Sequence, residues 1–195
     1  DFSSRHSFKF YLTTPFAGIY QRIFPKTIEG WDSIGMFLDY IDKNGAPKTP
    51  FFALIHHLSP HGPYLVTNEC EPAYYKENFE GYTASYQCAL KTIQVFMEKI
   101  NSIDPEAIVV FQGDHGSNGL DLEMTEKEKH QFRGRIFNAI KAPEVCFDNY
   151  GLPQTNVNAV RFTLNCAYGF KLPYRRNVHY ESYYPEDSLD EFGTV

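Results

Sequence analysis

The most reactive combination of side chains in the sequence is the adjacent pair Asp114 and His115, which stands between Gly113 and Gly116. Glycine on both sides lets the backbone turn tightly enough to aim the two side chains at one point. A carboxylate oxygen and an imidazole nitrogen suit a divalent cation with mixed ligands, which favours Zn²⁺ or Mn²⁺ over Ca²⁺ or Mg²⁺. We therefore predict that the pair binds a divalent metal, and the alternative is an ordinary surface turn.

A second candidate is His61, which lies between Pro60 and the Gly62-Pro63 pair. Because proline fixes one backbone angle, an imidazole in this loop has few conformations. A rigidly held imidazole can donate a hydrogen bond to a phosphate or sulfate oxygen, or act as an acid. We predict that His61 binds substrate and takes part in catalysis, and the alternative is a turn histidine on the surface.

Other polar residues are weaker candidates. His56 and His57 are neighbours in a predicted strand and so point to opposite faces, which suggests that one of them is hydrogen-bonded toward the core. Ser59 stands close to His61, but no G-x-S-x-G elbow accompanies it, and Ser117 fits a turn. The sequence therefore offers no convincing nucleophile.

The four cysteines are Cys70, Cys88, Cys146 and Cys166. They form no C-x-x-C pair, which argues against a zinc site built from four thiolates. Two disulfides would form only in an oxidising compartment. Small buried or half-buried thiols are the alternative, and the sequence alone leaves both open.

Helical and strand patterns alternate along the middle of the chain, and each is recognised by its apolar spacing or its end signals. The predicted elements are a helix from Trp31 to Asn44, a buried strand from Phe51 to Leu58, a helix from Tyr82 to Ile100 that Asp104-Pro105 ends, a strand from Ala107 to Gln112, a short helix begun by a capping box at Thr125, a strand from Arg135 to Lys141, and a helix capped by Thr155 or Asn156 and closed by Gly169.

This alternation predicts an α/β fold with a largely parallel sheet flanked by helices. In such sheets the functional crevice lies at the carboxyl ends of the strands. The strands that end near Leu58 and Gln112 would then bring His61, Asp114 and His115 into one cleft, with the two histidine-containing motifs within roughly 10 Å of each other.

Composition limits the classes of partner. The chain has 195 residues, 43% of them hydrophobic and 22% charged, which predicts a single globular domain over residues 1–195, with an irregular lead-in at 1–30 and an acidic peripheral tail at 181–195. A net charge of −6 without a basic stripe argues against nucleic acid as a partner.

No apolar stretch approaches the roughly 20 residues of a membrane helix, so we expect this chain to be soluble. Because it begins with Asp1, it reads as part of a longer protein.

Four segments in order carry a family resemblance. They are FFALIHHLSPHGPY at 51–64, GYTASYQCALKTIQVFMEKI at 81–100, AIVVFQGDHG at 107–116, and RIFNAIKAP at 135–143 with NVNAVRFTLNCAYGFKLP at 156–173. Together they resemble the C-terminal portion of the sulfatase-like branch of the alkaline phosphatase superfamily. The last of them is similar to a bacterial, membrane-anchored subgroup, and the resemblance covers about residues 51–180.

The resemblance implies an alkaline-phosphatase-like fold that is incomplete at the N-terminus. It implies that Asp114 and His115 are metal ligands and that His61 contacts the transferred phosphate or sulfate group. An acidic metal ligand and a Thr, Ser or formylglycine nucleophile would precede Asp1. The chain would then be part of a metal-dependent phospho- or sulfo-ester hydrolase or transferase, inactive by itself, and the alternative is a non-catalytic binding or scaffolding domain of the same ancestry.

The same resemblance implies a phosphate- or sulfate-ester substrate, such as a lipid or a cell-envelope glycan. It also implies that the parent protein is membrane-tethered, on the outer face of the bacterial cytoplasmic membrane or in the periplasm.

Overall fold

A computed structural model describes residues 33–117, 119, 121–181 and 190–194. The described residues of Asp1–Pro105 and Gly119–Glu123 form one compact unit, and those of Glu106–Asn118 and Met124–Val195 form a second. The predicted lead-in at 1–30, the start of the first predicted helix at Trp31 and most of the acidic tail lie outside the described residues. A single domain over 1–195 stays a prediction.

The first unit contains two helices, α1 (Ser33–Asn44) and α2 (Phe79–Ile103). Ile34 and Ile41 on α1 are buried, and the ring of Phe37 lies 6.0 Å from that of Phe96 on α2. Asn78 caps α2 by accepting a hydrogen bond from the third residue of the helix, and Asp104 ends it as predicted. Within the described ranges, no helix has the length and apolar character needed to cross a bilayer.

The buried strand predicted at 51–58 is wrong. These residues have no regular secondary structure, and Phe52 and Leu54 are 81% and 86% exposed. A short apolar run signals a tendency to be buried, but a strand also needs a hydrogen-bonding neighbour along its length. No described strand pairs with this segment.

The second unit mixes strands and helices. Its elements are β1 (Val109–Gln112), α3 (Glu126–Gly134), β2 (Asn138–Lys141), α4 (Glu144–Tyr150), α5 (Asn156–Tyr168), β3 (Val178–Glu181) and β4 (Asp190–Thr194). The predicted capping box forms at Thr125, Thr155 caps α5, and Gly169 closes α5 in the left-handed conformation. These local predictions are confirmed because each depends on only a few neighbouring residues.

The largely parallel sheet is not confirmed. Among the described residues there are two sheets of two strands, β1 with β2 and β3 with β4, and both pairs are antiparallel. Gln112 lies opposite Asn138, so the chain returns along β1 after the short helix α3 rather than crossing to a parallel position. Apolar periodicity identifies a strand but does not encode the direction of its neighbour, which long-range contacts decide.

The cysteines form two disulfides, one in each unit. Cys70 is joined to Cys88 on α2, and Cys146 on α4 is joined to Cys166 on α5. The bonds connect residues 18 and 20 positions apart, so each closes a short loop inside one unit. Of the two alternatives left open by the sequence, the structure contains the disulfides.

Candidate functional site

The turn with Asp114 and His115 begins where β1 ends. Gly113 continues the β1–β2 pairing, because its N–H donates to the Phe137 carbonyl at 2.8 Å. On the other side of the same residue, the Asn156 side-chain amide donates to the Gly113 carbonyl at 3.2 Å. The backbone that leads into the pair is therefore held by both β2 and the start of α5.

Gly116 fixes the exit from the same turn. Its N–H donates to the Arg133 carbonyl at 2.6 Å, near the end of α3. A Cβ at this position would lie 2.5 Å from the Arg135 carbonyl oxygen and closer still to that of Phe132. Only glycine leaves room for such close contact with backbone, so Gly116 is needed here for reasons of space, which only the tertiary structure reveals.

The two side chains of the pair can face one ion. The Asp114 carboxylate is 91% exposed, and its Oδ2 lies 3.8 Å from Nε2 of His115. The other ring nitrogen of His115, Nδ1, lies 2.7 Å from the Gly116 carbonyl. Since a carbonyl oxygen only accepts, Nδ1 carries the proton and Nε2 presents its lone pair next to the carboxylate.

This arrangement fits a divalent metal. Metal-binding histidines commonly donate their second ring N–H to a backbone carbonyl, which fixes the tautomer that can bind the ion. The described residues contain no group of three His, Cys, Asp or Glu side chains placed to hold a metal. Asp114 and His115 offer two donor atoms, fewer than the four ligands of a complete tetrahedral shell.

His61 is exposed in a loop of the first unit. Its N–H donates to the Leu58 carbonyl at 2.7 Å, and its ring Nδ1 lies 2.6 Å from the Gly62 carbonyl. The same reasoning as for His115 puts the proton on Nδ1 and leaves Nε2 to meet another group. The peptide bonds before Pro60 and Pro63 are both cis.

Tyr64 anchors this loop to the body of the first unit. Its side chain is 5% exposed, and its ring lies edge-on to that of Tyr82 on α2, with centroids 6.4 Å apart. Burial raises the pKa of the Tyr64 phenol, with smaller contributions from Glu77 and Tyr82. The loop of His61 therefore rests on a buried, neutral tyrosine.

The predicted site residues lie in both units. His61 belongs to the first, while Asp114 and His115 belong to the second. The structure brings Asp114 and His115 together, and the common cleft with His61 stays a prediction.

The weaker candidates have structural contacts. His56 is exposed, and its carbonyl accepts a hydrogen bond from the Ser33 hydroxyl at 2.8 Å. The Ser59 hydroxyl donates to the Ser85 carbonyl on α2 at 3.2 Å, and Ser117 is buried. These contacts agree with the interpretation that neither serine is a nucleophile.

Sequence reasoning missed the contact made by Asn156. The sequence offers Asn156 only as an alternative cap for α5, but Thr155 is the cap, and the Asn156 side chain donates to the Gly113 carbonyl instead. Its Oδ1 is buried and has no hydrogen-bond partner among the described residues. The available signal was the pair of capping-type residues, Thr-Asn, of which a helix can use only one as its cap.

A comparison with family models matches residues 14–160 to the one described as Sulfatase. The matched range includes His61, Asp114 and His115, and it confirms the resemblance to the sulfatase-like branch of the alkaline phosphatase superfamily. The α/β character of the predicted fold agrees with that family. No curated protein and no solved structure matches the chain.

Proposed function

Because the chain belongs to the sulfatase family, we propose that it is the metal-binding part of an enzyme that hydrolyses or transfers phosphate or sulfate esters. The observation that carries this proposal is the turn at Asp114 and His115. One imidazole nitrogen donates to the Gly116 carbonyl, and the other lies 3.8 Å from an exposed carboxylate oxygen. An ester hydrolase of this family would use such a pair as ligands for its divalent metal.

Asp114 and His115 would hold the ion, with Zn²⁺ or Mn²⁺ favoured over Ca²⁺ or Mg²⁺ because the donors are one oxygen and one nitrogen. When bound, a divalent ion polarises the ester and neutralises charge that develops during the reaction. The role of the protein is to keep both donors aimed at one point, which the contacts of Gly113 and Gly116 support. We propose that the nucleophile and the remaining ligands come from residues beyond the 195 given, as the family resemblance implies.

His61 would contact the transferred phosphate or sulfate group. With Nδ1 donating to the Gly62 carbonyl, the neutral ring has Nε2 as an acceptor, and the protonated ring has an N–H there that can donate to an anionic oxygen. In the protonated state this residue could steady the negative charge of the group during transfer. The substrate class that follows is a phosphate or sulfate ester, such as one on a lipid or a cell-envelope glycan.

The disulfides support a location outside the cytoplasm. Disulfides persist in oxidising compartments and are rare in the cytosol of most organisms. The Cys70–Cys88 and Cys146–Cys166 bonds therefore support an oxidising compartment. This fits our proposal, which rests on the family resemblance, that the parent protein is tethered to the membrane and works on the outer face of the bacterial cytoplasmic membrane or in the periplasm.

The test is metal binding by the chain, measured by calorimetry with Mn²⁺ and Zn²⁺. We expect weak binding, because two ligands make an incomplete shell, and loss of binding in Asp114→Ala and His115→Ala. His61→Ala is the matched control and should bind as the unaltered chain does. Nanomolar affinity that survives His115→Ala would contradict the ligand assignment.

Catalysis is tested separately with p-nitrophenyl phosphate and p-nitrophenyl sulfate. With Mn²⁺ or Zn²⁺ present, we expect the chain to give no turnover above that of the Asp114→Ala control. In the full-length parent, turnover should require metal, Asp114 and His61. A parent that binds metal but never turns over these esters would favour the scaffolding alternative.

A further inference from the structure

One side of helix α5 is apolar and exposed. Val157, Val160 and Tyr168 are 56%, 57% and 69% exposed. Together with half-buried Leu164 they follow one another at intervals of three and four residues, which places them along one side of the helix. Phe162 on another side is 0% exposed, so α5 already has its core contacts. The exposed row is therefore a second apolar side of α5.

An aromatic pair extends this row at the C-terminal end of α5. The rings of Tyr168 and Phe170 are stacked, with centroids 5.7 Å apart. Phe170 is 50% exposed, and Leu152, shortly before α5, is 67% exposed. The exposed apolar side chains thus occur on the helix and on the segments that flank it, rather than singly.

A basic strap, residues 171–177, runs antiparallel beside α5. The side chain of Asn165 binds both the N–H and the carbonyl of Leu172, at 2.8 and 3.0 Å. Seven residues earlier on the helix, the side chain of Asn158 binds the N–H and the carbonyl of Arg175, at 2.8 and 2.9 Å. Both asparagines are buried next to the exposed row, so the strap is fixed along its edge.

The charges of the strap are all positive. Residues 151–178 contain four basic residues, Arg161, Lys171, Arg175 and Arg176, and no acidic residue, although the chain has a net charge of −6. Lys171 and Arg175 are exposed, and the contacts of Leu172 and Arg175 place them near the two ends of the exposed row. The row and the strap together form what we call the α5 surface.

We propose that the α5 surface docks on a membrane that carries anionic lipids. Exposed aliphatic and aromatic side chains beside basic residues are the composition of interfacial membrane-binding surfaces. The aromatic residues suit the boundary between headgroups and acyl chains, and the cations are attracted to acidic headgroups. This inference goes beyond the proposed ester chemistry and does not depend on it.

The charge and the side-chain types favour this partner over two others. A second copy of the chain would bring two positively charged surfaces together, which electrostatic repulsion opposes. An acidic glycan would satisfy Lys171 and Arg175 but would leave the aliphatic residues Val157, Val160 and Leu152 exposed to water. Of these three partners, the lipid surface is the one that uses the cations and the apolar row at the same time.

The experiment is flotation of the chain with vesicles of phosphatidylcholine, with and without phosphatidylglycerol. We expect binding only to the vesicles that contain phosphatidylglycerol, and weaker binding as salt is raised. Lys171→Glu/Arg175→Glu should lower the vesicle affinity by about tenfold or more. Tyr168→Ser/Phe170→Ser should lower it by a similar factor, because the apolar contribution is lost.

Matched controls use exposed residues of the first unit. Phe52→Ser/Leu54→Ser and Lys48→Glu/Lys76→Glu change the same kinds of side chain and should leave vesicle binding unchanged. Circular dichroism checks that every variant is folded. Equal binding to both kinds of vesicle, no binding to either, or insensitivity to the charge reversal would overturn the proposal. So would retention on heparin without vesicle binding, or a dimer in sedimentation that the α5-surface variants abolish.

Discussion

The two candidate histidines use the same local device in different surroundings. Each is followed by a glycine whose carbonyl lies close to the histidine Nδ1, at 2.6 Å for His61 and 2.7 Å for His115. Each ring is therefore oriented by the carbonyl of the next residue, and its Nε2 remains available to bind another group. Both contacts join a histidine to the glycine that follows it, and the two sites differ in how that glycine is held.

The glycine after His115 is enclosed, and the glycine after His61 is not. Backbone carbonyls at the end of α3 lie where a Cβ of Gly116 would be, whereas the nearest atom to a Cβ of Gly62 is Oε1 of Glu77, at 3.4 Å. In the first unit the enclosed glycine is Gly81, on α2, where a Cβ would lie 2.7 Å from the Tyr64 ring and 2.6 Å from Cβ of Tyr75. The turn of His115 is thus held at its own glycine, by the end of α3. The loop of His61 is held through Tyr64, which packs on Gly81 of α2.

The largest effect is expected for Gly116→Ala. Its new methyl group would collide with backbone rather than with a flexible side chain, so we expect a loss of at least about 3 kcal/mol in the free energy of unfolding. Gly62→Ala is the matched control and should change it by no more than about 0.5 kcal/mol. Denaturant unfolding measures both, and hydrogen exchange should show the Gly116→Ala loss in the peptides of residues 106–117 and 124–150. Equal stability of the two variants would contradict the comparison.

A smaller loss is expected for Gly81→Ala. Its new methyl group would collide with the Tyr75 Cβ and the Tyr64 ring, but alanine is favoured over glycine inside a helix by about 1 kcal/mol, so we expect a net loss of about 2 kcal/mol. Hydrogen exchange should locate this loss in α2 and in the segment of residues 58–66. If hydrogen-exchange protection fell instead around residues 109–116, the loop of His61 and the turn of His115 would not have separate supports, and the comparison would be contradicted.

The sequence predicted the parts of this comparison that are local. The capping box at Thr125 and the cap at Thr155 each depend on residues a few positions apart. The close approach of α3 to Gly116, the direction of β2 and the exposure of residues 51–58 depend on contacts between distant parts of the chain. Apolar spacing carries no information about which partner is chosen, and this is why the local features were predictable and the pairing was not.

Asn156 holds the start of the turn at Asp114 and His115, through its hydrogen bond to the Gly113 carbonyl. If the pair binds metal, we expect Asn156→Ala to weaken that binding by about threefold to tenfold. Hydrogen bonds that orient a metal ligand typically change affinity by about tenfold or more, and the bond from Asn156 acts one residue away, through the Gly113 carbonyl. Calorimetry with Mn²⁺ measures the change. Thr155→Ala removes the cap of α5 without removing the contact to Gly113, so it should lower stability by about 1 kcal/mol and leave metal affinity unchanged.

The two variants together decide what Asn156 does. If both weakened metal binding equally, loosening of α5 would explain the effect, and Asn156 would have no positioning role. If only Asn156→Ala did so, the hydrogen bond to Gly113 would be the cause.

The smallest effect is expected from pH, and it should act on α3 and through it on the turn at Asp114 and His115. The backbone N–H and the hydroxyl of Thr125 hold the pKa of Glu128 below its ordinary value, since both donate to the charged carboxylate in the capping box. The unfolded chain has the ordinary carboxyl pKa, so this contribution to stability is fully present above that value and is lost as pH falls through the lowered pKa of the folded state. Acid should therefore loosen α3, whose end holds Gly116 through the Arg133 carbonyl. Thermal unfolding from neutral pH downward should show a slightly smaller acid-induced loss of stability in Glu128→Gln than in the unaltered chain. A profile that is the same for Glu128→Gln and the unaltered chain would show that the capping box does not connect pH to the turn at Asp114 and His115.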